Sequence, residues 1–279
     1  MILTRRDRVF AVVKYVLLSL FAIPWIVIPI WTVLVNSAKT PAEAAALGMG
    51  LPTQWNVLEN YGIVFTDGDY LVSLFNSIVV TVPTIVAVVL IGAAAAWAFG
   101  RSRGWTSKTV FYVISLSMLI PPTLLPTIFL LQTIQLDGSL PGYILVMIGT
   151  RLGIVVFLAT GFVRALPDDL EAAATIDGAN RFQIFTRIVL PLLMPVLFSA
   201  TVILIVFVWS DFFFAQFLLT GSARQTLPLA LYNFANSSGQ TLRWNLVFAH
   251  VVLTALPLLV AYVFLQRRVM GGLTEGALR

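Results

Sequence analysis

The stretch from Tyr70 to Gly100 reads YLVSLFNSIVVTVPTIVAVVLIGAAAAWAFG, and it contains no charged residue. A helix needs about 20 residues to cross hydrocarbon at 1.5 Å per residue, so this window predicts a membrane-spanning helix. Four more charge-free windows pass the same test: Tyr15–Ala38, Thr109–Leu136, Ile188–Ser210 and Trp244–Gln266. A sixth block, Gly138–Val163, passes but for Arg151. The expected fold is therefore all-α: one polytopic domain over residues 1–279 with six transmembrane helices. Barrel strands alternate apolar and polar residues over about 10 positions, and these blocks do not. Composition agrees, since 59% of the residues are hydrophobic and 10% are charged, against roughly 25% charged in soluble domains.

The net charge of +5 suits a membrane protein better than a nucleic-acid binder, because Lys and Arg gather on the cytoplasmic side of membranes. With the N-terminus inside, thirteen Lys and Arg fall on inner segments and only Lys39, Arg224 and Arg243 on outer ones. Both termini are expected in the cytoplasm, and the basic N-terminus reads as an uncleaved anchor. The outer segments are Asn36–Asp69, a tight turn near Asp137–Pro141, and the polar loop 220–243 with Gln225, Asn233 and Asn236. The inner ones are the basic turn Arg101–Lys108, the mixed-charge stretch 166–195 and the tail 267–279.

The stretch 166–195 reads LPDDLEAAATIDGANRFQIFTRIVLPLLMP. It predicts two short helices. Asp168 or Asp169 caps the first after Pro167, and Glu171 suits its first turn electrostatically. Ala172, Ala173 and Ala174 favour helix and allow close approach. Gly178 permits a sharp turn. Phe182, Phe185, Ile188 and Val189 form an apolar face at helical spacing, and Pro191 and Pro195 are expected to end that helix and admit span 5. A small-residue helix, a glycine hinge and aromatic knobs suit docking to a partner protein; an interfacial amphipathic helix gives the same pattern.

This stretch resembles the signature loop of the integral-membrane subunits of binding-protein-dependent ATP-binding-cassette importers. The pattern in that family is E-A-A, three residues, G, nine residues, I, one residue, L-P. Ala173, Ala174, Gly178, Ile188, Leu190 and Pro191 match it, while its Glu position is Ala172 here. Glu171, one place earlier, stands where the sugar branch often carries a second Glu, and Asp177-Gly178-Ala179 fits that branch. The likeness continues along the chain. It includes Asn36–Thr40 with Glu43, Asn76-Ser77 with Thr81, A-W-A-F-G-R at Ala96–Arg101, W-S-D-F at Trp209–Phe212, and Gly272-Leu273-Thr274 with Gly276-Ala277. It is most similar to the smaller, maltose-type permease subunits.

The resemblance implies an importer permease of the bacterial inner membrane for a sugar, a di- or oligosaccharide, or alternatively for a solute such as a glycerophosphate ester. It implies a second permease subunit, two ATPase subunits that bind ATP and Mg²⁺, and a periplasmic or lipoprotein sugar-binding protein. The ATPase-coupling residues would be Glu171, Ala173, Ala174, Asp177, Gly178, Ala179, Phe182, Phe185 and Pro191, with Glu171 supplying the acidic contact. The tail Gly271–Ala277 would reach the ATPase interface, and loop 220–243 would meet the binding protein.

Charges inside spans are functional candidates. Arg151 and Asp211 lie at comparable depths, roughly 20 and 24 Å from the inner ends of their spans at 1.5 Å per residue. Either they pair across the bundle, directly or through water, lining or bracing a pathway, or each sits near an interface or at the partner subunit. Trp209 either stacks on a sugar ring or is an ordinary interfacial Trp. His250 alone makes no metal site and is expected to be packed and hydrogen-bonded. Pro121, Pro122 and Pro126 are expected to kink span 3. The chain carries no cysteine and no G-x-x-x-x-G-K-[ST], so it has neither disulfides nor a P-loop. No catalytic cluster is visible. A self-contained transporter leaves the 166–195 pattern unexplained, and a lipid-modifying enzyme lacks convergent catalytic residues.

Overall fold

The structure is a computed structural model that describes residues 5–118, 123–237 and 242–276. Among them there are helices and no strands. In chain order they are α1 (Arg5–Ser37), α2 (Pro41–Ala44), α3 (Val57–Asp67), α4 (Tyr70–Arg101), α5 (Trp105–Leu116), α6 (Leu124–Thr133), α7 (Leu140–Ala165), α8 (Asp169–Ile176), α9 (Arg181–Ile184), α10 (Leu190–Trp209), α11 (Phe213–Leu218), α12 (Leu227–Ser237) and α13 (Trp244–Gly276). A single π-helical turn, Phe185–Val189, joins α9 to α10. Among the described residues, five helices are long and apolar enough to cross a membrane: Val13–Ser37, Tyr70–Arg101, Leu140–Ala165, Arg181–Trp209 and Trp244–Leu265.

The expected third span differs. It is divided into α5 and α6, and only α6 is uniformly apolar. Pro126 does not kink a helix. It occupies the first turn of α6, where a missing N–H leaves no bond unmade. Pro121 and Pro122 lie outside the described residues. The expected helix end at Pro191 and Pro195 is also corrected, because the helix runs unbroken from Arg181 to Trp209. The π turn is the reason: the Leu190 N–H bonds the Phe185 carbonyl five residues back, and this widened turn accommodates Pro191 at the start of α10 without an i to i−4 clash.

The chain forms two compact units, Met1–Tyr70 with Leu231–Ala255, and Leu71–Ala230 with Leu256–Arg279. In the first, the segment after α1 is organised by buried polar groups. Asn60 donates to the Ser37 and Lys39 carbonyls at 2.9 Å each and accepts from Asn245 at 2.7 Å. Lys39 is buried and donates to Asn36 Oδ1 and the Gly48 carbonyl. Trp31 donates to the Met49 carbonyl. His250 is fully buried, and its Nδ1 lies 3.1 Å from Thr254 Oγ1. These contacts satisfy most of the polar groups involved, which burial would otherwise leave costly; Asn245 Oδ1 and His250 Nε2 make no hydrogen bond among the described residues.

In the second unit the core is built by α4, α7 and α10. Val88, Ala93 and Ala96 pack with Val155, Ala159, Val163, Leu193 and Leu197. Gly92, Ala96 and Gly100 recur every four residues on α4, a spacing that lets helix backbones approach closely. A Cβ on Gly92 would lie 2.7 Å from Val155, and one on Gly100 would run into the Val163 side chain. Gly100→Leu is therefore expected to destabilise the unit by about 2 kcal/mol through overpacking, measured as a lower thermal unfolding temperature in detergent. Asn76 donates to the Ala223 and Gln225 carbonyls, and Ser77 Oγ accepts from the Leu227 N–H. This pair fixes the chain leading into α12.

Candidate docking loop and buried ion pair

The loop between α7 and α10 is two short helices joined by a tight turn. Asp168 holds the N-cap position of α8 but makes no cap bond; its carboxylate pairs with Arg101 Nη1 at 2.5 Å instead. At the other end, the Ala179 N–H bonds the Ala174 carbonyl and the Gly178 N–H bonds the Thr175 carbonyl. That is a Schellman ending, with the residue past the helix in the left-handed region. Gly178 has φ +82° there, and open space surrounds its Cα. The requirement for glycine is thus purely conformational. Asn180 then starts α9 with a complete capping box: its side chain accepts from the Gln183 N–H, and the Gln183 side chain accepts from the Asn180 N–H, both at 2.9 Å. The signal in the sequence was N-x-x-Q, absent from the expected site residues.

The expected coupling residues do not all face the same way. Ala173, Asp177, Gly178 and Phe182 are exposed, and Phe182 and neighbouring Ile176 are 74% and 86% exposed. Ala174 and Ala179 pack on the core beneath. Phe185 turns inward and stacks on Trp97 of α4, with ring centroids 5.7 Å apart, so it is not an outward knob. Pro191 sits in the first turn of α10. Glu171 is also turned inward. Its Oε1 accepts from Arg101 Nε at 2.8 Å and its Oε2 from Trp97 Nε1 at 2.9 Å. Arg101 additionally donates to the Leu166 carbonyl. An open groove of about 730 Å³ lies between these residues and Ala172, Asn180 and Arg181.

Arg151 and Asp211 come together. Arg151 Nη2 lies 3.6 Å from Asp211 Oδ2, and the guanidinium sits over the Phe207 ring at 5.3 Å. The Tyr143 hydroxyl donates to Asp211 Oδ1 at 2.8 Å, and the Phe214 and Ala215 N–H groups converge on the same oxygen at 3.2 and 3.4 Å. The carboxylate therefore also holds the N-terminus of α11, where a negative charge is favourable. Tyr143 was not expected, because nothing in the sequence links it to a residue 68 positions away. Trp209 is buried, so its face is covered in this conformation. Among the described residues no group of His, Cys, Asp and Glu is arranged to hold a metal ion. The backbone of the tail is helical to Gly276, and Ala277 to Arg279 lie outside the described residues.

Known proteins resemble this chain along most of its length. Residues 66–271 match the family described as binding-protein-dependent transport system inner membrane component. The chain is 30% identical over 275 residues to the diacetylchitobiose uptake system permease protein of Streptomyces coelicolor, covering 98% of this chain and 90% of that one. It is 32% identical over 212 residues to the melibiose/raffinose/stachyose import permease protein of Bacillus subtilis, covering 74% and 75%. The fold matches a solved bacterial ABC transporter involved in the import of the acidic polysaccharide alginate, with a TM-score of 0.78 and 22% identity over 96% of this chain and 99% of that chain. The long apolar helices fit this family: the chain belongs to the inner membrane components of binding-protein-dependent transport systems, and is a transport subunit rather than an enzyme.

Proposed function

We propose that the chain forms half of the translocation pathway of an ATP-driven importer for a di- or oligosaccharide. It crosses the bacterial inner membrane six times with both termini inside, α5 and α6 together making the third crossing. A second permease subunit supplies the other half of the pathway, two ATPase subunits bind ATP and Mg²⁺, and a periplasmic or lipoprotein binding protein delivers the sugar. Several relatives named for oligosaccharide uptake support the choice of substrate class.

The observation that carries this reading is the tip of the α8–α9 loop. It presents Ile176 and Phe182 to solvent around an obligatory glycine turn. Large apolar side chains exposed beside the charged Asp177 and Arg181, at and before the start of the fourth apolar helix, suit a protein-binding surface. Asp177, Gly178 and Phe182 form the docking tip, Ala173 lets the ATPase approach closely, and Ala174, Ala179, Phe185 and Pro191 seat the tip on the helices beneath. Closure of the ATPase dimer would displace this loop and rock the helices attached to it. Loop 220–243, with α12 inside it, would face the binding protein, and the tail 267–279 the ATPase.

Substrate class is tested by uptake of radiolabelled oligosaccharides in a strain deleted for this chain: loss of uptake of one of them, restored by the intact gene, is expected, and unchanged uptake of all of them overturns the sugar assignment. Orientation is tested on the natural cysteine-free background. A cysteine at Leu58, an exposed position of α3, is expected to react with an impermeant maleimide in spheroplasts. A cysteine at Thr175 is expected to react only after permeabilisation. The reverse pattern contradicts the proposed topology.

A further inference from the structure

Glu171 has a role that its place in the loop sequence does not suggest. Its two carboxylate oxygens are both taken by side chains of α4, Arg101 Nε at 2.8 Å and Trp97 Nε1 at 2.9 Å, and its side chain is only 18% exposed. A partly buried carboxylate whose two oxygens are already held by a guanidinium and an indole is poorly placed to meet a second protein, even at the edge of the groove. The same indole stacks on Phe185 at an interplanar angle of 26°. Trp97 thus touches both arms of the loop, α8 through Glu171 and the π turn through Phe185. Arg101 adds the Asp168 carboxylate and the Leu166 carbonyl, which closes the connection to the end of α7. On the adjoining face of α4, Gly100 lets the helix pack directly on Val163 of α7.

We propose that Trp97, Arg101 and Glu171 form a clamp that makes the end of α4 move as one body with the docking loop, so that Glu171 is a positioning residue for coupling and not the acidic contact to the ATPase. This rests on the docking reading above. The clamp has the chemistry for the task. Charge-assisted hydrogen bonds are short and directional, and an aromatic stack adds stiffness without a further charge. A loop bonded only through its covalent ends to α7 and α10 could tilt without carrying α4. With the clamp in place, displacement at Gly178 reaches α4, which lines the core with Ala93 and Ala96.

The test uses the complete complex in lipid nanodiscs and proteoliposomes. Glu171→Gln removes the charge with little change of shape, and Trp97→Phe removes the Nε1–H while keeping a ring against Phe185. Both variants are expected to retain their ATPase subunits and to hydrolyse ATP within about threefold of wild type, whereas sugar moved per ATP falls at least fivefold. Spin labels at Ser102, beyond α4, and Thr175, on α8, should keep one distance in the nucleotide-free and ATP-bound states of the wild type, and a broadened one in Glu171→Gln. If Glu171→Gln sheds the ATPase, the residue is a docking contact and the clamp is wrong. If transport and hydrolysis fall in proportion, or the wild-type distance changes with ATP, the clamp is also wrong. Gly178→Pro separates the two readings: retention of the ATPase by that variant brings down docking itself, and the clamp with it.

Discussion

Gly178→Pro is expected to strip the ATPase subunits from the purified complex while leaving the chain inserted and abundant in the membrane. The turn at Gly178 has φ +82°, and proline is confined near −65°. The substitution also deletes the N–H that bonds the Thr175 carbonyl. The Schellman ending is then lost, and α8 and α9 no longer present Ile176 and Phe182 together. Co-purification should fall more than tenfold. Gly178→Ala separates conformation from contact, because nothing surrounds the Cα. It pays only the left-handed penalty of about 1 kcal/mol, and should weaken retention about fivefold. Equal effects of Ala and Pro would mean that the ATPase touches Gly178 directly.

The second large effect is expected at Asp211. Its side chain is 8% exposed and answers Arg151, a charged residue within a long apolar helix. Removing one partner of a buried pair leaves the other charge uncompensated, which costs about 3 kcal/mol. Asp211→Ala also removes the acceptor for Tyr143 and for the first N–H groups of α11. The expected result is a large loss of thermal stability in detergent and a low level in the membrane. Tyr143→Phe removes one hydrogen bond to a charged group and should cost about 1.5 kcal/mol. Exchanging the charges, Arg151→Asp with Asp211→Arg, should recover part of the stability lost in either single reversal. If the double reversal is no better than the singles, the interaction is not a direct pairing.

Much of the architecture was legible because of one simple property, the absence of charge over more than 20 residues. Hydrocarbon forbids unpaired charge in any such helix, whatever its neighbours, so the windows at Tyr70–Gly100 and Trp244–Gln266 needed no tertiary information. Arg151 was recognisable as an exception for the same reason. Proline effects were not legible. Whether Pro126 kinks a helix or starts one depends on where the helix begins, and whether Pro191 ends a helix depends on whether the preceding turn can widen. The π turn at Phe185–Val189 has no residue signature of its own.

The glycine turn and the helix on either side of it were legible, because turn chemistry is local, whereas the second helix runs on to Trp209 and Asp168 pairs with Arg101 instead of capping the first. The direction of the loop's side chains was not legible, since it depends on residues far away in sequence. Glu171 meets Arg101 and Trp97, 70 and 74 positions earlier, and Phe185 meets that same Trp97. The sequence marked A-W-A-F-G-R and the loop separately and offered nothing to join them. An outward-facing acid and an inward-facing one look alike until the helix they pack on is placed.

On the proposed reading, this chain moves its solute only as part of an ATP-driven, binding-protein-dependent complex. This dependence is tested most directly by uptake of a labelled oligosaccharide into proteoliposomes, with the purified chain alone and with its co-purified partners. The chain alone is expected to take up nothing, and the complex to require both ATP inside and binding protein outside. Solute movement by the chain alone, or uptake by the complex without ATP, would contradict that reading and point to a self-contained transporter.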